Sequence, residues 1–144
     1  LKTLQGLVWR EGYESGQVKG HLYPDVAEML NRWHAAGRQV AIYSSGSVLA
    51  QKLLFRHSVA GDLTPLLCAH YDTSIGLKRD AASYVAIACA WGCEAHDIIF
   101  ATDQPAEAEA ARAAGMASVV VMRPGNAPLP AHLPFAVHGD LRAF

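Results

Sequence analysis

The sequence predicts an α/β fold, a parallel β-sheet covered by helices on both faces. Two observations predict it. Short apolar runs at 39–43, 98–102 and 118–122 alternate with stretches whose apolar residues recur at helical spacing. Each run leads into polar residues or glycine, as in chains of strand–helix–strand units. The chain has 144 residues, the length of one domain, and 51% of them are hydrophobic against 17% charged. That balance excludes disorder and predicts a packed core.

The elements follow in order. The first 20 residues read as irregular, broken by glycines at 6, 12, 16 and 20, with Trp9 and Tyr13 among polar neighbours. Asp25 and Glu28 have the spacing of a capping box. Val26, Met29, Leu30 and Trp33 then lie on one helical face, and Gly37 ends the helix. The strand at 39–43 runs into Ser44-Ser45-Gly46-Ser47, and a helix is expected over 48–57. A weak strand at 67–71 is followed by a helix over 80–91, with Tyr84, Ile87, Ala88 and Trp91 on one face and Gly92 as its stop. The strand at 98–102 ends at Asp103. A further helix starts near Pro105 and stops at Gly115. After the strand at 118–122 comes a proline-rich tail, with a short edge strand expected at 136–138.

Composition narrows the function classes. Twelve basic and thirteen acidic residues leave a net charge of −1, so no general attraction to nucleic acid or an anionic membrane is expected. No apolar run approaches the roughly 18 residues of a membrane span. The opening LKTLQGLVWREGYE lacks the apolar segment of a secretion signal, and a cytoplasmic location is expected. The chain opens on Leu1, which suggests a piece of a longer protein. Cys68, Cys89 and Cys93 are odd in number and form no Cys-x-x-Cys, so buried thiols in a reducing cytosol are expected. The seven histidines form no metal motif and are expected at the surface or partly packed.

Parallel sheets bind ligands beyond the carboxyl ends of their strands. Three polar groups fall there. Ser44 and Ser45, with the helix start after them, offer hydroxyl and N–H donors to a phosphate; the structural alternative is an N-cap at Ser47. Lys78, before a helix, is a point charge for a phosphoryl group or else a solvated surface lysine. Asp103 suits Mg²⁺, a hard cation that takes oxygen ligands, or else favours a helix start, and Glu107 follows one turn later.

The order strand–Ser, Lys, strand–Asp resembles haloacid dehalogenase-type phosphotransferases. Longer runs are more specific. IYSSGSVLAQKLLF, GDLTPLL, YDTSIGLKRDAASYVAIA, FATDQPAEAEAARAAGM and RPGN resemble the enolase-phosphatase (acireductone synthase) family, as does the opening LQGLVWREGYESGQVKGHLYPDV. The resemblance implies a Rossmann-like haloacid dehalogenase core over 23–144, preceded by a linker from a helical cap over 1–22. It implies a monomeric, Mg²⁺-dependent enzyme of methionine salvage, with one Mg²⁺ per subunit. Such enzymes enolise and dephosphorylate 2,3-diketo-5-methylthiopentyl 1-phosphate. By the same resemblance, Ser44, Ser45 and Lys78 hold the phosphate, Lys78 is catalytic, Asp103 binds Mg²⁺, and Glu107 stands behind the residues that touch substrate and metal. Trp9 and Tyr13 are expected either to line a pocket for the methylthioalkyl tail or simply to pack.

One departure is large. The family opens with a central strand bearing an Asp nucleophile, followed by a helical cap, and nothing here matches either. Asp25 opens a helix, and Asp62, Asp72 and Asp80 lack a preceding central strand. The expectation is an incomplete core in which the strands at 40–43 and 98–102 each lack a neighbour. The alternatives are another haloacid dehalogenase-like phosphatase or a non-catalytic phosphate-binding module.

Overall fold

The structure, a computed structural model, describes residues 11–130 and 132–144. It divides into two compact units, the first ending at Thr73 and the second beginning at Ser74.

In the first unit, α1 spans Pro24–Ala35, β1 Ala41–Tyr43, α2 Val48–Arg56 and β2 Ala69–Tyr71. Helix α1 starts two residues earlier than its capping pattern predicts, with Tyr23 rather than Asp25 at the N-cap position. Pro24 occupies the first turn, where its fixed φ and missing N–H cost nothing, and no side chain caps the helix. Asp25 is therefore inside the helix and only 3% exposed, which corrects its expected role as a cap. The predicted apolar face holds: Met29 and Leu30 are buried, and Val26 and Trp33 pack around the Leu30, Phe55 and Leu63 cluster. Strands β1 and β2 pair in parallel, with Ala41 opposite Ala69 and Tyr43 opposite Tyr71.

Residues 11–14 are helical, and Gly20 then pairs with the chain after α2. A Cβ at Gly20 would stand 2.2 Å from the Leu54 carbonyl oxygen, so only glycine fits that approach. Tyr13 is buried and stacks on His57 at 5.8 Å, a packing role. Trp9 lies outside the described residues.

In the second unit, α3 spans Ala81–Trp91, β3 Ile99–Thr102, α4 Pro105–Ala113, β4 Ala117–Val121 and β5 Ala136–His138. Asp80 caps α3 by accepting the Ala82 N–H at 3.0 Å, and Gly92 ends it in the left-handed region at φ 72°. Tyr84 is fully buried on α3 and meets Phe100 edge-on, with ring centroids 4.9 Å apart. The sheet runs β3-β4-β5, all parallel, with Thr102 opposite Val120 and Val120 opposite Val137. The tail strand over 136–138 thus forms where the sequence places it.

Among the described residues, β1 pairs only with β2 and β3 only with β4. Each has one edge without a ladder, in keeping with a core that lacks a central strand. The cysteines depart from expectation: Cys68 and Cys89 are exposed and Cys93 is half-buried, all as free thiols. Cys89 is one residue, about 100° of helix, beyond the buried Ala88, which turns it away from the core. All seven histidines are exposed or half-buried, as expected.

Candidate functional site

The predicted site residues fall in both units, and each group stands on its own geometry. In the first unit, the loop after β1 is tied down by polar contacts. Ser44 Oγ accepts the Gly46 N–H at 3.1 Å. Ser47 Oγ caps α2 by accepting the Ala50 N–H at 3.2 Å. The Val48 N–H donates to Asp72 Oδ2 at 3.3 Å. Three N–H groups expected to cradle a phosphate are therefore bonded within the chain. What the loop presents is the Ser44 hydroxyl proton and the exposed Ser45. Asp72 directly follows β2, and its carboxylate at the start of α2 has the favourable sign for the helix dipole.

Gln51 locks this loop from behind. Its buried amide donates to the Gly46 carbonyl at 2.9 Å and to the Tyr71 carbonyl at 2.8 Å. Its Oε1 lies 3.2 Å from His70 Nδ1. Burial, and secondarily the charge of Lys52, hold the His70 imidazole below its ordinary pKa of 6.5. A cavity of about 530 Å³ beside α2 is lined by Lys52, Arg56, Cys68 and His70 over Leu49 and Leu53.

In the second unit, Lys78 is held at both ends. Its carbonyl accepts the Tyr84 hydroxyl at 2.6 Å, while Ser83 Oγ donates to the Leu77 carbonyl at 2.8 Å. Its ammonium meets Glu107 Oε2 at 2.6 Å, with the two side chains 23% and 10% exposed. The same Glu107 oxygen accepts the Thr102 hydroxyl at 2.7 Å, and Thr102 Oγ1 accepts the Gln104 N–H at 3.1 Å. Helix α4 therefore delivers Glu107 to Lys78, and the last residue of β3 orients it. The Glu107 carboxylate bonds to Lys78 and Thr102 among the described residues.

Asp103 follows β3 directly. Its Oδ2 accepts the Asn126 amide at 2.8 Å. Asn126 closes the turn after β4: its Oδ1 accepts the Arg123 N–H, and its N–H donates to the Arg123 carbonyl at 3.0 Å. Strand register explains the meeting. Thr102 lies opposite Val120, so the chains leaving β3 and β4 emerge at one sheet edge.

Among the described residues, no three His, Cys, Asp or Glu side chains gather as a metal cluster. The chemistry of Asp103 nevertheless fits Mg²⁺, which takes one or two carboxylates and completes its shell with water and substrate phosphate. Pattern reading gave no site role to Gln51, Thr102, Asn126 or the Tyr84 hydroxyl. The signals at hand were the place of Thr102 at a strand end and of Asn126 in the RPGN run.

The family described as haloacid dehalogenase-like hydrolase matches residues 4–115. The chain is 57% identical over 131 residues to Enolase-phosphatase E1 of Drosophila mojavensis, covering 91% of this chain and 53% of that protein. It thus spans about half the length of the curated relatives it matches. The crystal structure of the UTR4 protein from Saccharomyces cerevisiae superposes with a TM-score of 0.92 at 37% identity, covering 100% of this chain and 66% of that one. A haloacid dehalogenase family enzyme from Bacteroides thetaiotaomicron, in complex with magnesium and inorganic phosphate, shares the fold at a TM-score of 0.62 and 11% identity. That alignment covers 78% of this chain and 57% of the other.

Proposed function

The chain belongs to the haloacid dehalogenase-like hydrolases, and we propose that it carries the lysine, phosphate-binding and part of the metal-binding groups of an enolase-phosphatase. The reaction is assigned to a protein of the relatives' full length, a cytoplasmic monomer of methionine salvage. Its substrate would be 2,3-diketo-5-methylthiopentyl 1-phosphate and its product an acireductone. The observation that carries the reading is the Lys78–Glu107 pair at 2.6 Å, largely buried in the same unit as the strand-end carboxylate Asp103. The Drosophila relatives' name supports the substrate class.

The residues divide the work by chemistry. The Lys78 ammonium offsets charge on the phosphoryl oxygens, and Glu107 keeps that ammonium in one position. The Ser44 hydroxyl, whose oxygen already accepts from Gly46, donates its proton to a phosphate oxygen. Ser45 donates beside it. Asp103 would hold one Mg²⁺ per subunit. When bound, that ion supplies further charge neutralisation and Lewis-acid polarisation of the carbonyl to be enolised. The resemblance puts the residue that accepts the phosphoryl group on an opening strand for which this sequence has no match, and that role is assigned to the additional length of the relatives.

The test is phosphate release from the synthetic substrate by the full-length protein, titrated with Mg²⁺. Lys78→Ala is expected to lower kcat about a hundredfold or more, the scale of losing one preorganised charge. Asp103→Asn is expected to raise the Mg²⁺ needed for half-activity. Near-normal turnover by Lys78→Ala removes the lysine from the mechanism and overturns the reading.

A further inference from the structure

We propose that Asn126 is a positioning residue that makes Asp103 a one-oxygen ligand and thereby favours Mg²⁺ over Ca²⁺. The proposal rests on the reading of Asp103 as the metal carboxylate.

The Asn126 amide is used at both ends. Its Oδ1 accepts the Arg123 N–H and its Nδ2 donates to Asp103 Oδ2 at 2.8 Å. The first bond belongs to a turn built by Arg123-Pro124-Gly125-Asn126, in which Gly125 takes the left-handed φ of 92°. The amide therefore cannot flip without losing both bonds, and the donor always faces Asp103. An amide N–H to a carboxylate is a charge-assisted bond, stronger than a neutral one. It occupies Oδ2, and among the described residues no hydrogen bond reaches Oδ1.

That asymmetry selects between cations. Mg²⁺ demands near-octahedral geometry at about 2.0–2.1 Å and takes a carboxylate through one oxygen beside several waters. Ca²⁺ accepts six to eight oxygens at about 2.3–2.6 Å and readily takes both oxygens of one carboxylate. A carboxylate with one oxygen held by an amide suits the first ion and handicaps the second. Without the amide, Asp103 is free to rotate and to chelate through both oxygens.

The experiment is calorimetric titration of the full-length protein with MgCl₂ and, separately, CaCl₂. Asn126→Ala is expected to weaken Mg²⁺ binding roughly tenfold, the lower end for removing a residue that orients a ligand, and to narrow the Mg²⁺-to-Ca²⁺ affinity ratio. Asn126→Asp keeps an acceptor for the Arg123 N–H, so the turn survives, but it cannot donate to Asp103. Its ratio is expected to fall at least as far. Asp103→Asn tests the underlying reading, since wild-type Mg²⁺ affinity in that variant overturns the metal assignment itself. If Asp103→Asn loses the ion while both Asn126 variants keep the affinity ratio within about twofold of wild type, the metal assignment stands and the role of Asn126 is overturned.

Discussion

Replacing Thr102 by valine separates hydrogen bonding from packing at the centre of the Lys78 network. Thr102 is 8% exposed, and its hydroxyl donates to Glu107 Oε2 at 2.7 Å. Valine has nearly the same volume, so it leaves no cavity and the change is confined to the hydroxyl. A hydrogen bond to a charged group contributes about 1.5–3 kcal/mol. The Gln104 N–H also loses its acceptor, but Gln104 is exposed and water replaces it. The expected loss of stability is therefore about 2 kcal/mol. Thr102→Ser keeps the hydroxyl and deletes one methyl group, which costs about 0.8 kcal/mol. Urea denaturation followed by circular dichroism measures both variants, with an unchanged denaturant slope as the check that the unfolded state is comparable. The ranking is the decisive result. Packing alone makes serine the worse substitution, whereas the network makes valine the worse. A valine variant more stable than the serine variant would refute the argument that Thr102 holds Glu107.

Two more expectations follow from individual contacts. Gly76 has φ 146°, and a Cβ there would lie 2.1 Å from Ser83 Oγ and 2.9 Å from Ser83 Cβ. Gly76→Ala should cost more than about 1 kcal/mol from backbone strain alone. It should also lower kcat, because Ser83 anchors the Leu77 carbonyl beside Lys78; a variant with wild-type melting and turnover contradicts this. The His70 pKa lies below its unfolded value, so the unfolded chain binds more protons as the pH drops under about 6.5, and stability falls with it. His70→Asn should flatten the stability profile below about pH 6.5, measured by denaturation at each pH, and an unaltered slope would remove His70 as its source.

The element order, the helix stops and the Ser47 cap are local properties, legible from residue order. The Ser47 cap stood as the structural alternative to a phosphate role, whereas Asp80 caps the helix it was expected to begin. Ser47 and Asp80 cap helices through N–H groups two or three residues away. The glycines at 37, 92 and 115 end helices because only glycine takes their positive φ without strain. The α/β class followed from the alternation of periods, and Ser44, Lys78 and Asp103 followed from standing at strand ends or a helix start. Where neighbours in the chain compete, local reading misplaced a boundary: Pro24 and Asp25 both favour a helix start, and the first-turn proline prevailed. The exposure of Cys68 and Cys89 was not legible either, because the side a residue turns to the core depends on what packs there.

The partnerships within the site belong to tertiary structure. Glu107 meets Lys78 across 29 positions, Asn126 meets Asp103 across 23, and Gln51 meets the Tyr71 carbonyl across 20. No periodicity encodes such distances, since propensity acts over about one helical turn. It is the parallel register of β3 on β4 that brings two separate turns to one sheet edge, and the packing of α4 that turns Glu107 toward the lysine. The sequence by itself determined which chemical groups stand at strand and helix ends. The folded backbone decided which of them are bonded to each other, because a hydrogen bond forms only where two chain segments are held within about 3 Å, and only packing sets that distance.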